Sequence, residues 1–469
     1  MNEVAANGPK NEENVLAVAT IEGSSSPAGS RGMLDDIPLS SYQIWAVLMI
    51  AATVVLDGLD NQMLGLAAPS LLKEWGIGRE ALGSVFALGF VGMAVGTLTS
   101  GWVGDRFGRR GALIIGVAIF GIATLATGFS GALWQIAALK TLAGVGLGGV
   151  PGTASAMIAE FTPVRWRSVA VTFGVVCVSI GGILGGVAAA LILPGLGWRW
   201  LFYIGGTVTM IFVTWLWFVL PESPRYLAER PDRAAELDCI LRRIGHPDPA
   251  SAAHLPLAVG EALRYEPMRN LFAPALLRDT LALSVAMFSG MFMIYLMFNW
   301  APTMLNSAGF GLQTASLGLT SFNMGGTIGA MIASLAIIRF GSRPVLILMA
   351  TVGAAVCATL ALLPISGGRN EAAVLTCLGA LGLFASAAQS AMFAVGAHAF
   401  PTGLRARGLG LMGAAGRIGA IVSAVAGALL IDWGNLGFFG ALAALMLINA
   451  LGFIAVRGHV PALGRKDAL

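Results

Sequence analysis

Two carboxylates three residues apart, Asp57 and Asp60, stand inside the first long apolar run of the chain, in the stretch LDGLDNQMLG (56–65). Residues at i and i+3 share one face of a helix. A charged Asp at the middle of a membrane costs roughly 2.5–3.5 kcal/mol on insertion scales, so a pair turned to hydrocarbon is disfavoured. The two must therefore face a cavity or a cation. Close carboxyl groups share one proton more readily than both ionise, and removal from water favours the neutral form. Asp57 and Asp60 are thus the chain's candidates for a proton-binding site. The bland alternative is that DGLD only caps or breaks the helix, with Gly58 as a kink.

Two cations stand at comparable depth. Lys140 lies about eight residues into another apolar run. It can snorkel to the surface, pair with Asp57 or Asp60, or capture an anionic carboxylate. If the last two roles alternate, protonating the aspartate frees the lysine for the anion, and the two events are coupled. Arg417, in GAAGRIGAI, offers a planar guanidinium that suits a carboxylate bidentately. It can also serve a structural pair with an acid or with backbone carbonyls. Four scattered cysteines and four histidines give no metal-ligand or nucleophile spacing. No metal, no cofactor beyond a coupling proton and no enzymatic chemistry are expected.

The elements that hold these residues are helices in a membrane. The chain is 57% hydrophobic and 11% charged, against about a quarter charged in soluble domains, and its mean hydropathy is +0.80. Its +4 charge is spread over short loops rather than gathered in a patch, which argues against nucleic-acid binding. A span needs about 20 mostly apolar residues. Twelve such runs occur, six in 41–220 and six in 280–456, around a polar stretch at 221–279. The polar residues 1–40 predict a disordered tail, and 457–469 form a second one. The expected fold is an all-α membrane protein with twelve transmembrane helices in two pseudo-symmetric six-helix bundles. Two echoes support duplication: Pro163 and Arg167 in EFTPVRWRS against Pro401 and Arg405 in HAFPTGLRARG, and DRFGRR (105–110) against IRFGSR (338–343). Lys and Arg crowd one set of loops, where nine arginines join eight of the central stretch. Only Lys73, Arg79, Arg199 and Arg369 fall on the other side, so both termini are expected in the cytoplasm. Trp75, Trp134, Trp198, Trp200 and Trp433 fall near the outer ends, as an aromatic belt requires.

GWVGDRFGRR (101–110) joins the second and third spans. Gly101 and Gly104 allow close approach, and Asp105, Arg106, Arg109 and Arg110 form, with Gly108, a charge cluster suited to a conformational latch. Glu160, Arg167 and Arg405 stand at corresponding inner ends and are expected to join it. With its complete spacing the loop resembles the signature loop of the major facilitator superfamily. Within it, LDGLDNQMLGLAAPSL, LKTLAGVGLGGVPG, EFTPVRWRS, YLMFNWAPTMLNSAGF and FPTGLRARGLGLMGAAGRIGAI are similar to the aromatic acid:proton symporter family over residues 40–456.

The resemblance implies a plasma (inner) membrane protein, working as a monomer. Its expected function is proton-driven uptake of a small aromatic carboxylate such as benzoate, hydroxybenzoate or protocatechuate. It implies that Lys140 stands where relatives carry arginine, that Arg417 matches the eleventh-helix arginine, and that Ile338 replaces the acid of the second signature loop. Tyr295, Asn299 and Trp300 then offer an aromatic wall and a hydrogen bond to a ring hydroxyl, with Gln389 a weaker candidate. Aromatic residues in a bundle also simply pack. GVGLGGVPG (144–152) lacks the Lys-Ser/Thr ending of a phosphate loop and reads as helix-packing glycine. GGILGG (181–186) lacks the G-P-x-x-G-G of drug antiporters. The rivals are a proton symporter for another organic acid or sugar-like solute, and a membrane sensor that binds such ligands without moving them.

Overall fold

A backbone in lipid must satisfy its own hydrogen bonds, and this chain does so with helices alone among the described residues. The computed structural model describes residues 38–245 and 267–462. The predicted tails lie largely outside them, as does the middle of the polar stretch after residue 245. The first half holds α1 (Ser41–Trp75), α2 (Arg79–Thr127), α3 (Leu133–Phe161), α4 (Val164–Leu196) and α5 (Trp198–Val219). Short α6 (Pro224–Ala228) and α7 (Ala234–Ile244) follow. The second half holds α8 (Leu277–Ser307), α9 (Leu312–Phe340), α10 (Ser342–Leu362), α11 (Glu371–Ala399), α12 (Arg405–Asp432) and α13 (Gly434–Ala455).

Eleven of these are long and apolar enough to cross a membrane. The count of twelve crossings is recovered in α2, whose 49 residues would run roughly 74 Å as one rod at 1.5 Å per residue. That is more than twice a hydrocarbon core of about 30 Å. Gly108, at φ 86° and ψ 164°, breaks the rod into two spans. The loop foreseen between the second and third spans thus shrinks to one left-handed residue. Gly341, at φ 80° and ψ 163°, makes the same turn between α9 and α10, so the RFGRR and RFGSR echo is a repeated backbone device.

The halves meet along α1 and α8, α2 and α12, and α4 and α9. Exchanging the halves maps this set of seams onto itself, as a pseudo-twofold requires. Within the first half, glycine sets the spacing. A Cβ on Gly92 would stand 2.1 Å from the Thr141 carbonyl oxygen, and one on Gly148 would stand 2.1 Å from that of Met93. The glycine run of α3 is therefore a packing surface on α2, as its lack of a phosphate-loop ending implied.

One expectation changes here. Trp198 is buried, with its indole N–H donating to Glu74 Oε2 at 2.7 Å. It anchors α5 to α1, while Trp134 and Trp433 are exposed. The polar stretch after α5 also carries packed structure: Leu237, Ile240, Leu241 and Ile244 bury one face of α7. The spacing of that apolar stripe is helical.

Candidate functional site

α1 runs unbroken through DGLD. Gly58 is no kink; a Cβ there would stand 2.0 Å from the Val178 carbonyl oxygen, so α4 lies directly against it. That contact and the neighbouring helices bury both aspartates, Asp57 to 3% and Asp60 to 2% exposure. Lys140 turns inward rather than snorkelling, and its Nζ lies 3.2 Å from Asp60 Oδ2 and 3.4 Å from Oδ1. The Thr124 hydroxyl also donates to Asp60, and the ammonium stands 5.4 Å over the Phe202 ring. Of the two partners open to Lys140, the structure takes Asp60. Asp57 Oδ1 has no hydrogen-bond partner.

Asp60, Lys140 and Asn299 line a small cavity of about 40 Å³ whose other walls include Phe86, Phe90 and Met93. A larger cavity of about 640 Å³ is lined by Tyr295 and Arg417 with Thr97, Met287, Met291 and Phe393. Only the larger one has room for a small organic anion. Phe90 of the small cavity and Tyr295 of the larger one, from opposite halves, meet edge-on with ring centroids 4.6 Å apart. From the positions of its residues along α2, α8 and α12, the larger cavity lies on the arginine-rich side of the site. Arg417 Nη2 donates to Thr97 Oγ1 at 3.2 Å across it.

On the opposite side the halves close. A Cβ on Gly65 would stand 2.1 Å from the Phe298 carbonyl oxygen, and one on Gly83 would stand 2.8 Å from that of Ala424. Gln62 and Asn323, both buried, exchange amide hydrogen bonds of 3.1 and 2.8 Å. Farther out, Arg79 pairs with Asp432 at 2.5 Å. Trp300 belongs to this closure and lines neither cavity. It is fully buried, edge-on to Phe86 at 5.4 Å, and donates to the Ala424 carbonyl at 3.0 Å. Gln389 also stands outside both linings, with its amide against Met287 inside the second half. The structure therefore brings Asp60, Lys140 and Asn299 to one cavity and Tyr295 and Arg417 to the other, leaves Asp57 buried one helical turn from Asp60, and sets Trp300 and Gln389 apart from both linings.

The signature loop is held by a residue not singled out in the sequence. Glu222 Oε1 accepts the backbone N–H groups of Arg110 and Ser223, each at 2.9 Å. Burial pushes the Glu222 carboxyl above its ordinary range, and the two N–H donors oppose that shift. The Ser223 hydroxyl donates to Glu160 Oε2 at 2.6 Å. Arg109 pairs with Asp105 at 2.8 Å, and the Asp105 carbonyl accepts from Arg230 at 3.1 Å. Arg167 donates to the carbonyl of Ala159, next in the chain to Glu160, at 3.1 Å. Two expected members stand elsewhere: Arg106 lies over the Trp102 ring at 5.5 Å, and Arg405 is exposed in the second half. Glu222 was legible in principle as the acid inside PESPR, directly after an apolar span.

In the second half no carboxylate holds the matching turn. There Ser342 N–H donates to the Val460 carbonyl and Val460 N–H to Ser342 Oγ, each at 2.9 Å. Within the first loop, Gly101 makes no close approach, since a Cβ there would meet nothing within 4 Å. Gly108 does, since a Cβ there would stand 2.1 Å from Glu222 Oε2 at a left-handed φ. Gly108→Ala is accordingly expected to cost about 1–3 kcal/mol of strain, read as a lower unfolding midpoint in detergent, with Gly101→Ala unchanged.

The family described as Sugar (and other) transporter matches residues 71–462. The gallate transporter of Pseudomonas putida is 32% identical over 437 residues, covering 92% of this chain and 96% of that protein. The 4-hydroxybenzoate transporter PcaK of Pseudomonas aeruginosa is 34% identical over 425 residues, covering 89% and 93%. In structure, the inward open xylose transporter XylE of E. coli superposes with a TM-score of 0.73 at 18% identity, over 90% of this chain and 98% of that one.

Proposed function

We propose, for a chain that belongs to the major facilitator superfamily and within it to the family of these aromatic-acid transporters, that it imports a small aromatic carboxylate with a proton. The observation that carries this reading is the buried pairing of Lys140 with Asp60 beside an unpartnered Asp57. A lysine neutralised by an aspartate has little attraction left for an anion. Protonating that aspartate releases the ammonium to bind a carboxylate, so each ligand favours the state that admits the other. Deprotonation on the far side restores the ion pair and expels the anion toward Arg417 and the larger cavity. A monovalent anion moved with one proton carries no net charge. The roughly 2.3 kcal/mol per 100 mV that either ion alone would exchange with the membrane potential then cancels, and the pH gradient drives uptake.

Alternating access is the motion this cycle needs. The shut side at Gly65, Gln62 and Arg79 and the cavity on the arginine-rich side support it as one of the two end states. The positive-inside rule makes the arginine-rich face cytoplasmic, with both termini inside and the chain in the plasma membrane. The work is assigned to a monomer, in keeping with the superfamily.

The test is uptake into proteoliposomes with and without an acid-outside pH gradient, using benzoate, 4-hydroxybenzoate, protocatechuate, an aliphatic dicarboxylate and a hexose. Gradient-driven accumulation of an aromatic acid, beyond leakage into empty liposomes, is the expected result. Accumulation of only the dicarboxylate or the hexose would discard the aromatic assignment. Saturable binding without accumulation would put a sensor in its place.

A further inference from the structure

We infer that Asn299 reads a ring hydroxyl at the end of the substrate remote from its carboxylate, and so sets the preference for hydroxylated over unsubstituted aromatic acids. The inference rests on the aromatic-acid reading of the site and adds the register in which the substrate lies. Asn299 is 2% exposed and lines the same small cavity as Asp60 and Lys140. Its side-chain Nδ2 has no hydrogen-bond partner. Buried amides without partners are rare in folded proteins and cost the desolvation of the group. Here the orphan amide is set beside Val85, Phe86, Phe90 and Met93; Asn61 also lines the cavity, but none of its side-chain atoms is a buried orphan.

As it stands the cavity has no room for an organic anion; widened by opening of the closed side, it offers three environments to one ligand. Lys140, once released by Asp60, supplies a cation for the carboxylate. Phe86 and Phe90 supply faces for a ring. Asn299 supplies a polar group that the ring itself cannot satisfy. A hydroxyl both donates and accepts, so it completes the amide whichever of its atoms faces the ring. A methoxy group only accepts, and a bare C–H does neither. Tyr295 does not compete for this role, because it lines the larger cavity.

The experiment compares uptake efficiency for 4-hydroxybenzoate, 4-methoxybenzoate and benzoate in the same proteoliposomes, so that the amount of folded protein cancels in the ratio. Wild type is expected to favour 4-hydroxybenzoate over benzoate by about tenfold or more, the discrimination of a site whose polar group is left unpaired by the wrong ligand. Asn299→Leu is expected to bring that ratio to about one, through a larger fall in hydroxybenzoate uptake than in benzoate uptake. Should Asn299→Leu carry neither acid, Asn299→Ala, which only removes atoms, supplies the ratio. A ratio that stays at the wild-type value in these variants would overturn the assignment, as would a parallel fall for all three acids. A wild type that accumulates the acids without preference overturns this inference alone. A wild type that accumulates none of them overturns the transport reading and this inference with it.

Discussion

Asp60→Asn is expected to abolish accumulation driven by an acid-outside pH gradient while leaving downhill exchange of preloaded substrate measurable. The substitution keeps the size of the side chain and a carbonyl oxygen for the Thr124 hydroxyl, which bonds Asp60 in the wild type. It removes the charge that holds Lys140 at 3.2 Å. Removing one partner of a buried pair is costly, about 3–5 kcal/mol, because the other charge is left uncompensated. The variant is therefore expected to be less stable in detergent without ligand and to regain stability when an aromatic carboxylate is added. Wild-type uptake is expected to rise as the external pH falls, since the carboxyl must take up a proton outside before Lys140 can bind the anion. In the variant that slope flattens, because no proton is needed to free the lysine. Asp57→Asn tests the sharing of the site. Asp57 has no ion-pair partner to lose, so its replacement is expected to spare stability more than Asp60→Asn does. Full gradient-driven accumulation in both variants would remove the pair from proton coupling.

The fold was legible because each of its constraints is local. Twelve apolar runs, an arginine asymmetry and two echoed loops suffice for twelve helices in related halves, and only the extent of α2 through Gly108 departed from that reading. The charged part of the site was legible for a related reason: an ionised group at membrane depth has few tolerated uses. What failed were judgements that need the direction of a side chain. Trp300 follows Asn299 directly and was grouped with it, yet neighbours on a helix point about 100° apart. Asn299 therefore meets the cavity while Trp300 meets Ala424. Tyr295 and Asn299, four apart, do share a face, but Tyr295 lines the larger cavity and Asn299 the small one. The Gln62 and Asn323 clasp lay out of reach for another reason. Two neutral amides in separate halves carry no spacing that links them, and only the meeting of α1 with α9 makes them a pair.

The same limit hides the glycine with the largest predicted consequence. Among 63 glycines, nothing in the local sequence distinguishes Gly65 from its neighbours. In the closed outer side, however, a Cβ at Gly65 would stand 2.1 Å from the Phe298 carbonyl oxygen and 2.9 Å from the Asn299 Cα. Both atoms are backbone, so no side-chain rotation relieves the clash. Gly65→Leu is expected to penalise the state with the outer side shut and to leave the state with that side open untouched. Forcing extra atoms into a packed contact costs about 1–3 kcal/mol. At 1.4 kcal/mol per tenfold, the upper end moves a balanced equilibrium to roughly 100:1 in favour of the outward-open state. Transport requires both states, so uptake is expected to fall by about that factor, whereas binding of 4-hydroxybenzoate from the outer side persists. Spin labels placed on the outer ends of α2 and α12, beside Arg79 and Asp432, would report the cause as a lengthened distance distribution. Gly83→Leu, with 2.8 Å to the Ala424 carbonyl oxygen, is expected to act in the same direction and more weakly. Gly101→Leu, in open space, is expected to do neither. Wild-type transport in Gly65→Leu with the outer distances unchanged would mean that α1 and α8 do not need this contact to close. The outer barrier would then rest on the Gln62 and Asn323 clasp and the Arg79 and Asp432 ion pair.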